Sequence, residues 1–203
     1  MKQYAGLIVV LTAICLAASL ALAVVNSLTC DRIKQVAAKK KMRAIAEVLP
    51  DTGSAPETVV IADPATGTSN TFYVVRKGDA FASAALETSS PNGYGGDIRL
   101  MVGINMRREV QAIAILDQKE TPGLGAKIAT ADFKAIYAGL PIDTTHWKVK
   151  KDGGDLDAIT AATISSRAVA EAVASAIARF TAVQDALTHT EPLVLEDLRD
   201  EIH

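Results

Sequence analysis

The chain has 203 residues, of which 49% are hydrophobic and 22% charged, and its formal net charge is -2. That length has room for roughly one domain. The composition excludes a disordered chain or one that coats nucleic acid, and the near-neutral balance points to no particular charged partner.

From Gln3 to Cys30 there is no charged residue, and "AGLIVVLTAICLAASLALAVV" supplies about the 20 apolar residues that span a bilayer. Residues 1–30 are therefore expected to form a single transmembrane anchor. A cleaved signal peptide shares the pattern of Lys2 followed by apolar residues, but such apolar regions run about 7 to 15 residues and this one is longer. With Cys15 inside the span and Cys30 beside it, both cysteines read as small apolar fillers rather than a disulfide framework.

Residues 31–50, within "DRIKQVAAKKKMRAIAEVLPD", place Ile33, Val36, Ala37, Ile45 and Val48 on one helical face, with Arg32, Lys34, Lys39, Lys40, Lys41 and Arg43 elsewhere. This predicts a basic amphipathic helix at a membrane surface, and turn-forming residues in "PDTGSAPE" end it near residue 50. By the positive-inside rule the six basic residues outweigh Lys2 and favour a cytoplasmic C-terminal domain.

From there to about residue 117 the period is that of strands. "TVVIAD", "TFYVVRKG", "AFASAAL", "DIRLMVGIN" and "EVQAIAILD" are punctuated by Gly, Asn, Pro and Ser, which predicts an antiparallel sheet. Helices are expected at "TADFKAIYAGL" and after residue 160, where Val169, Val173, Ile177 and Phe180 recur at helical spacing. The fold class is thus α+β, a domain over 51–187 with its sheet first and helices later. The tail 188–203 is acidic.

His146, His189 and His203 are scattered, and no CxxC, HExxH, P-loop or GxGxxG occurs, so metal and nucleoside triphosphate chemistry find no support. Three segments rich in glycine and hydroxyls remain: "SSPNGYGGDI", "LDQKETPGLGAKI" and "DAITAATISSR". Taken singly, "NGYGG" reads as a hairpin connection, "TPGLG" as a loop of type II turns, and "TISS" as a helix start with spare hydroxyls.

Together, and in this order, they resemble a known family. "DAITAAT", Asp157 to Thr163, is similar to the flavinylation motif Asp-x-x-Ser/Thr-Gly-Ala-Thr of an FMN-binding domain. That domain is shared by the G subunit of the Rnf electron transport complex and the C subunit of the sodium-translocating NADH:quinone oxidoreductase. "ETPGLG" (Glu120 to Gly125) and "GYGGDI" (Gly93 to Ile98) also resemble segments of that domain. The likeness covers residues from about 80 to 180, and the single N-terminal membrane helix is similar too. Asp157, Thr160, Ala162 and Thr163 match the motif, whereas Ala161 stands where Gly is usual.

The resemblance implies that Thr163 carries FMN through a phosphoester placed by a separate flavin transferase. A phosphate there would meet the N-terminus of the last helix, where free backbone N–H groups favour anions. Thr160, Ser165 and Ser166 are read as further donors to it, with Arg167 or Lys127 adding a charged contact if they point the same way. Glu120, Thr121, Gly123, Leu124 and Gly125 are expected beside the flavin ring or ribityl chain, and Tyr94 to stack on or close one side.

No residue is expected to be catalytic by itself, because the flavin supplies the redox chemistry. The implied role is an electron-carrier subunit of an ion-translocating Rnf-type complex working between ferredoxin and NAD, with other membrane and peripheral subunits as partners. The alternatives are the C subunit of the quinone reductase and an anchored flavin-binding module used for sensing or assembly. The resemblance also implies an inner-membrane protein with its flavin domain on the periplasmic face. We adopt that placement over the charge rule, since Lys and Arg side chains can rest against anionic headgroups on either side.

Overall fold

A computed structural model describes residues 2–49, 55–62, 67–78 and 80–189. The predicted acidic tail therefore lies outside the described residues beyond residue 189, as do the turn residues 50–54.

Helix α1 runs without interruption over Lys2–Val48. It is long and apolar enough to cross a membrane, with a mean hydropathy of 2.8 over its most apolar stretch. Leu11, Leu16, Leu20 and Leu28 are all exposed, a continuous apolar surface that water does not tolerate. The compact units are Met1–Met42 and Arg43–His203, so the last turns of α1 belong with the C-terminal body. The reason is packing: Ala44, Ile45, Val48 and Leu49 are buried, whereas Ile33 and Val36 of the expected apolar face are exposed.

The C-terminal body is built on one six-stranded antiparallel sheet in sequential order. Its strands are β1 (Glu57–Ala62), β2 (Ser69–Lys77), β3 (Ala80–Gly93), β4 (Gly96–Asn105), β5 (Glu109–Asp117) and β6 (Leu140–Pro141). Alternation along each strand assigns the faces. Leu86, Leu100, Val102 and Ile113 face one core, and Ala85, Met101 and Ala114 face the other.

Two further helices follow the first five strands, α2 (Ala131–Ala135) and α3 (Thr163–His189). Helix α3 covers the first face with Val169, Val173, Ile177, Phe180, Val183 and Leu187. It extends well past Phe180 because the apolar row continues through those last two residues. The Thr88 hydroxyl donates to the Ala172 carbonyl at 3.0 Å, tying α3 to β3. The second face receives the end of α1. Ala85, Gly103 and Ala112 lie side by side across β3, β4 and β5, and a Cβ on Gly103 would stand 2.3 Å from the Val48 carbonyl oxygen. Small side chains in that row are what let the helix end approach the sheet.

Three elements differ from the sequence expectation. β3 continues through "SSPNG", and tolerates Pro91 because the β3–β4 register shifts between Ser90 and Gly93. The helix expected over "TADFKAIYAGL" shrinks to the five residues of α2, followed by turns that end at Gly139 (φ +76). The pairing of Leu140 and Pro141 with Val110 and Glu109 left no period to read, since only two residues take part.

The segment entering α3 is a turn in which the Ala162 N–H donates to the Ile159 carbonyl at 3.0 Å. Its third residue, Ala161, has φ +64, a left-handed conformation that suits glycine. An alanine there carries about 1–2 kcal/mol of strain. Ala161→Gly removes it but adds about 0.4–1 kcal/mol of chain entropy to the unfolded state. The expected outcome is a melting temperature higher by about 1–3 °C, since 1 kcal/mol corresponds to about 2–4 °C at this size. A lower melting temperature for Ala161→Gly would show that the turn is not strained.

Candidate functional site

At the N-terminal end of α3 the body holds a cavity of about 530 Å³. Its walls come from three places: Tyr94 in the β3–β4 connection, Glu120, Thr121, Leu124 and Gly125 in the segment after β5, and Ala161 to Ser165 at the helix start. The three segments singled out in the sequence thus converge on one space, although 17 residues separate the first from the second and 28 the second from the third.

Each segment reaches the cavity through its own local chemistry. Gly93 pairs with Gly96 to close the β3–β4 hairpin, leaving Tyr94 and Gly95 at its tip with Tyr94 exposed. In "ETPGLG" the Leu124 N–H donates to the Thr121 carbonyl at 3.2 Å, and Gly123 has φ +78. Pro122 then Gly123 at the two central positions is what a type II turn asks for. Both bland readings of these loops therefore hold as descriptions of the backbone, and the same loops line the cavity.

One carboxylate joins the three segments. Glu120 is buried, its Oε1 accepts from the Gly95 N–H at 3.0 Å, and its Oε2 accepts from the Ser165 hydroxyl at 2.6 Å. Its own N–H donates to Gln118 Oε1. Packing around this group admits no extra atoms. A Cβ on Gly125 would lie 2.4 Å from Glu120 Oε2 and 2.5 Å from Ser165 Oγ, and one on Gly95 would lie 2.0 Å from the Lys119 carbonyl oxygen.

The four hydroxyls near the helix start do different jobs. Ser165 is taken up by Glu120. Ser166 is fully buried, donates to the Ala162 carbonyl at 3.0 Å and accepts from the Ile159 N–H at 3.0 Å, so it braces the turn rather than facing the cavity. Thr160 is exposed and is not among the lining residues. Thr163 is partly exposed and lines the cavity, and its Oγ1 accepts from Lys151 Nζ at 3.2 Å. The N–H groups of Thr163, Ile164 and Ser165 belong to the first helical turn and have no intrahelical acceptor.

The remaining expected positions lie outside this lining. Asp157 pairs with Lys150 at 2.8 Å, and Arg167 forms a two-pronged pair with Asp152 at 2.5 and 2.7 Å. The Arg167 hydrogen bonds hold the Asp152 carboxyl below the usual carboxylate range. Lys127 is exposed, and a Cβ on Gly123 would meet nothing within 4 Å, so the glycines of close approach in these loops are Gly93, Gly95 and Gly125. Sequence reasoning missed Lys151 and Ile164. "KVKKD" could have drawn notice as a basic run, but nothing in it shows which lysine turns toward residue 163. Ile164 escaped because an apolar residue in a helix is normally counted to the core, yet here it is 47% exposed and lines the cavity together with Leu124 and Tyr94.

The lining fits a flavin nucleotide. Its volume is in the range of small-molecule sites, its lining includes apolar and aromatic side chains together with the first turn of α3, whose N–H groups suit a phosphate, and the Lys151 ammonium stands at the Thr163 hydroxyl.

Residues 93–178 match the family of FMN-binding domains. The G subunit of the ion-translocating oxidoreductase complex of Yersinia pestis is 39% identical over 165 residues, covering 76% of this chain and 79% of that protein. The protein of the same name from Shewanella oneidensis is 36% identical over 190 residues, covering 88% and 89%. A solved structure of the C subunit of the Na(+)-translocating NADH-quinone reductase from Parabacteroides distasonis gives a TM-score of 0.49 at 16% identity, over 68% of this chain and 80% of that one. With identity of this order to the first two along most of both chains, the protein belongs to the family of ion-translocating oxidoreductase complex G subunits.

Proposed function

We propose that this chain, a membrane-anchored flavoprotein subunit of an ion-translocating oxidoreductase complex, has its FMN joined through a phosphoester to Thr163 by a separate flavin transferase. The observation that carries this reading is the placement of the Thr163 hydroxyl. Thr163 lines the cavity at the first turn of α3 with its hydroxyl oxygen accepting from Lys151, while the Ser165 and Ser166 hydroxyls are donated to Glu120 and to the Ala162 carbonyl.

When bound, FMN supplies reversible electron transfer, here between the ferredoxin and NAD sides of the complex. The chain's own part is position and electrostatics. The first-turn N–H groups of α3 favour the anionic phosphate end. Leu124, Ile164 and Tyr94 offer apolar surface to the ring and exclude water from part of it. Glu120 fixes the distance between the loop that bears Leu124 and the helix that bears Thr163. The partners are the other subunits of the complex, which deliver and remove the electrons.

Trypsin cuts after Lys151 and Arg167, releasing a peptide that contains Thr160, Thr163, Ser165 and Ser166. After co-production with the transferase, tandem mass spectrometry should find FMN on Thr163, and Thr163→Ala should remove in-gel flavin fluorescence at this chain's mass. An adduct on Thr160, or a fluorescent Thr163→Ala band, would move or remove the assignment.

The flavin domain is proposed to face the periplasm. Alkaline phosphatase fused after residue 203 should be active, because that enzyme folds only in the oxidising outer compartment. A fully expressed but inactive fusion would place the domain in the cytoplasm, as the basic residues after the apolar span suggest.

A further inference from the structure

Three lysines and an arginine stand near the start of α3: Lys148, Lys150, Lys151 and Arg167. Lys150 is paired with Asp157, and Arg167 with Asp152. Among the described residues Lys151 forms no ion pair, and its Nζ donates instead to the Thr163 hydroxyl oxygen at 3.2 Å. A neutral hydroxyl is a weak partner for an ammonium that is otherwise free to turn into water. A phosphoester on the same oxygen would put an anion where the lysine already points, and turn an ordinary hydrogen bond into a charge-assisted one.

Resting on the Thr163 assignment, we infer that Lys151 is the counter-cation of the phosphoester and a positioning residue for it. Three features of the chain support this role. Lys151 lies two residues after Val149, which is buried and bridged to Leu156, so its backbone is anchored. Arg167 takes both oxygens of the neighbouring Asp152, so Lys151 feels that carboxylate through space but gives its hydrogen bond to Thr163. The other hydroxyls of the first turn point elsewhere, so the charge stands beside Thr163 alone. Of the two basic candidates read from the sequence, Arg167 is taken up by Asp152 and Lys127 is exposed, whereas Lys151 donates to the Thr163 hydroxyl oxygen.

The test uses the full-length chain, co-produced with the flavin transferase and purified in detergent. Wild type is compared with Lys151→Gln, Lys151→Arg and Lys151→Glu, and with Lys77→Gln as a remote control. Lys151→Gln is expected to lower flavin loading about three- to tenfold, Lys151→Glu further, and Lys151→Arg little. The ³¹P resonance of the loaded protein decides the matter, because a purely structural lysine would not move it. It should shift in Lys151→Gln, return toward wild type in Lys151→Arg and stay fixed in Lys77→Gln. A ³¹P resonance unmoved in Lys151→Gln overturns the inference even if loading falls. Thr163→Ala separates the two readings. If that variant keeps its flavin, the attachment site itself is wrong. If it loses the flavin while Lys151→Gln shows the wild-type resonance, only the role of Lys151 fails.

Discussion

The Glu120 carboxylate is the contact on which the site depends. A buried carboxylate is costly unless its oxygens are satisfied, and here one oxygen takes a backbone N–H from the β3–β4 hairpin and the other a hydroxyl from the first turn of α3. That arrangement can exist only if the three segments stand at one set of distances. The glycines follow from it: without bare backbone at Gly93 and Gly125, neither the hairpin nor the loop could come close enough to the carboxylate. A loop rich in glycine, which would otherwise sample many conformations, is thereby held as one wall of a cavity.

The frame around this contact explains why the cavity lies at a helix N-terminus. α3 is fixed along the sheet by a long apolar row ending at Leu187 and by hydrogen bonds from Thr88 and Arg179 to opposite main chains, so its first turn is placed by the whole sheet. The other face of the sheet is occupied by the end of α1, which Gly103 admits. With both faces covered, the open space is left where the hairpin tip, the loop after β5 and the helix start meet. An anion at this place gains from the unpaired N–H groups, and the apolar side chains at the mouth suit a flat ring.

Much of the fold was legible because it rests on period. The apolar span, five of the strands and the row from Val169 to Phe180 all announce themselves by spacing, and the structure has each of them. What escaped were features set by neighbours in space. The short strand at Leu140 exists only because Val110 offers an edge, and α2 stops early because packing of Phe133 and Tyr137 takes over from helical pairing. In the site, residue type and motif pointed to the three segments, and the resemblance singled out Thr163. Roles within the segments were not readable. Ser166 looks like a donor for a phosphate but braces the turn, Glu120 lines the cavity and also holds the three segments together, and the motif's departure at Ala161 hides a left-handed residue.

Hydrogen bonding to Glu120 holds together the segments that line the cavity, and two variants measured side by side test whether FMN binding depends on it. Glu120→Ala leaves the Gly95 N–H and the Ser165 hydroxyl without their acceptor, at about 1–3 kcal/mol. Glu120→Gln keeps an oxygen for Gly95 and offers an amide that the Ser165 hydroxyl can accept from. Glu120→Ala should keep its far-ultraviolet circular dichroism but lose most of its FMN after purification, while Glu120→Gln retains most of it. Full flavin loading in Glu120→Ala would contradict that dependence.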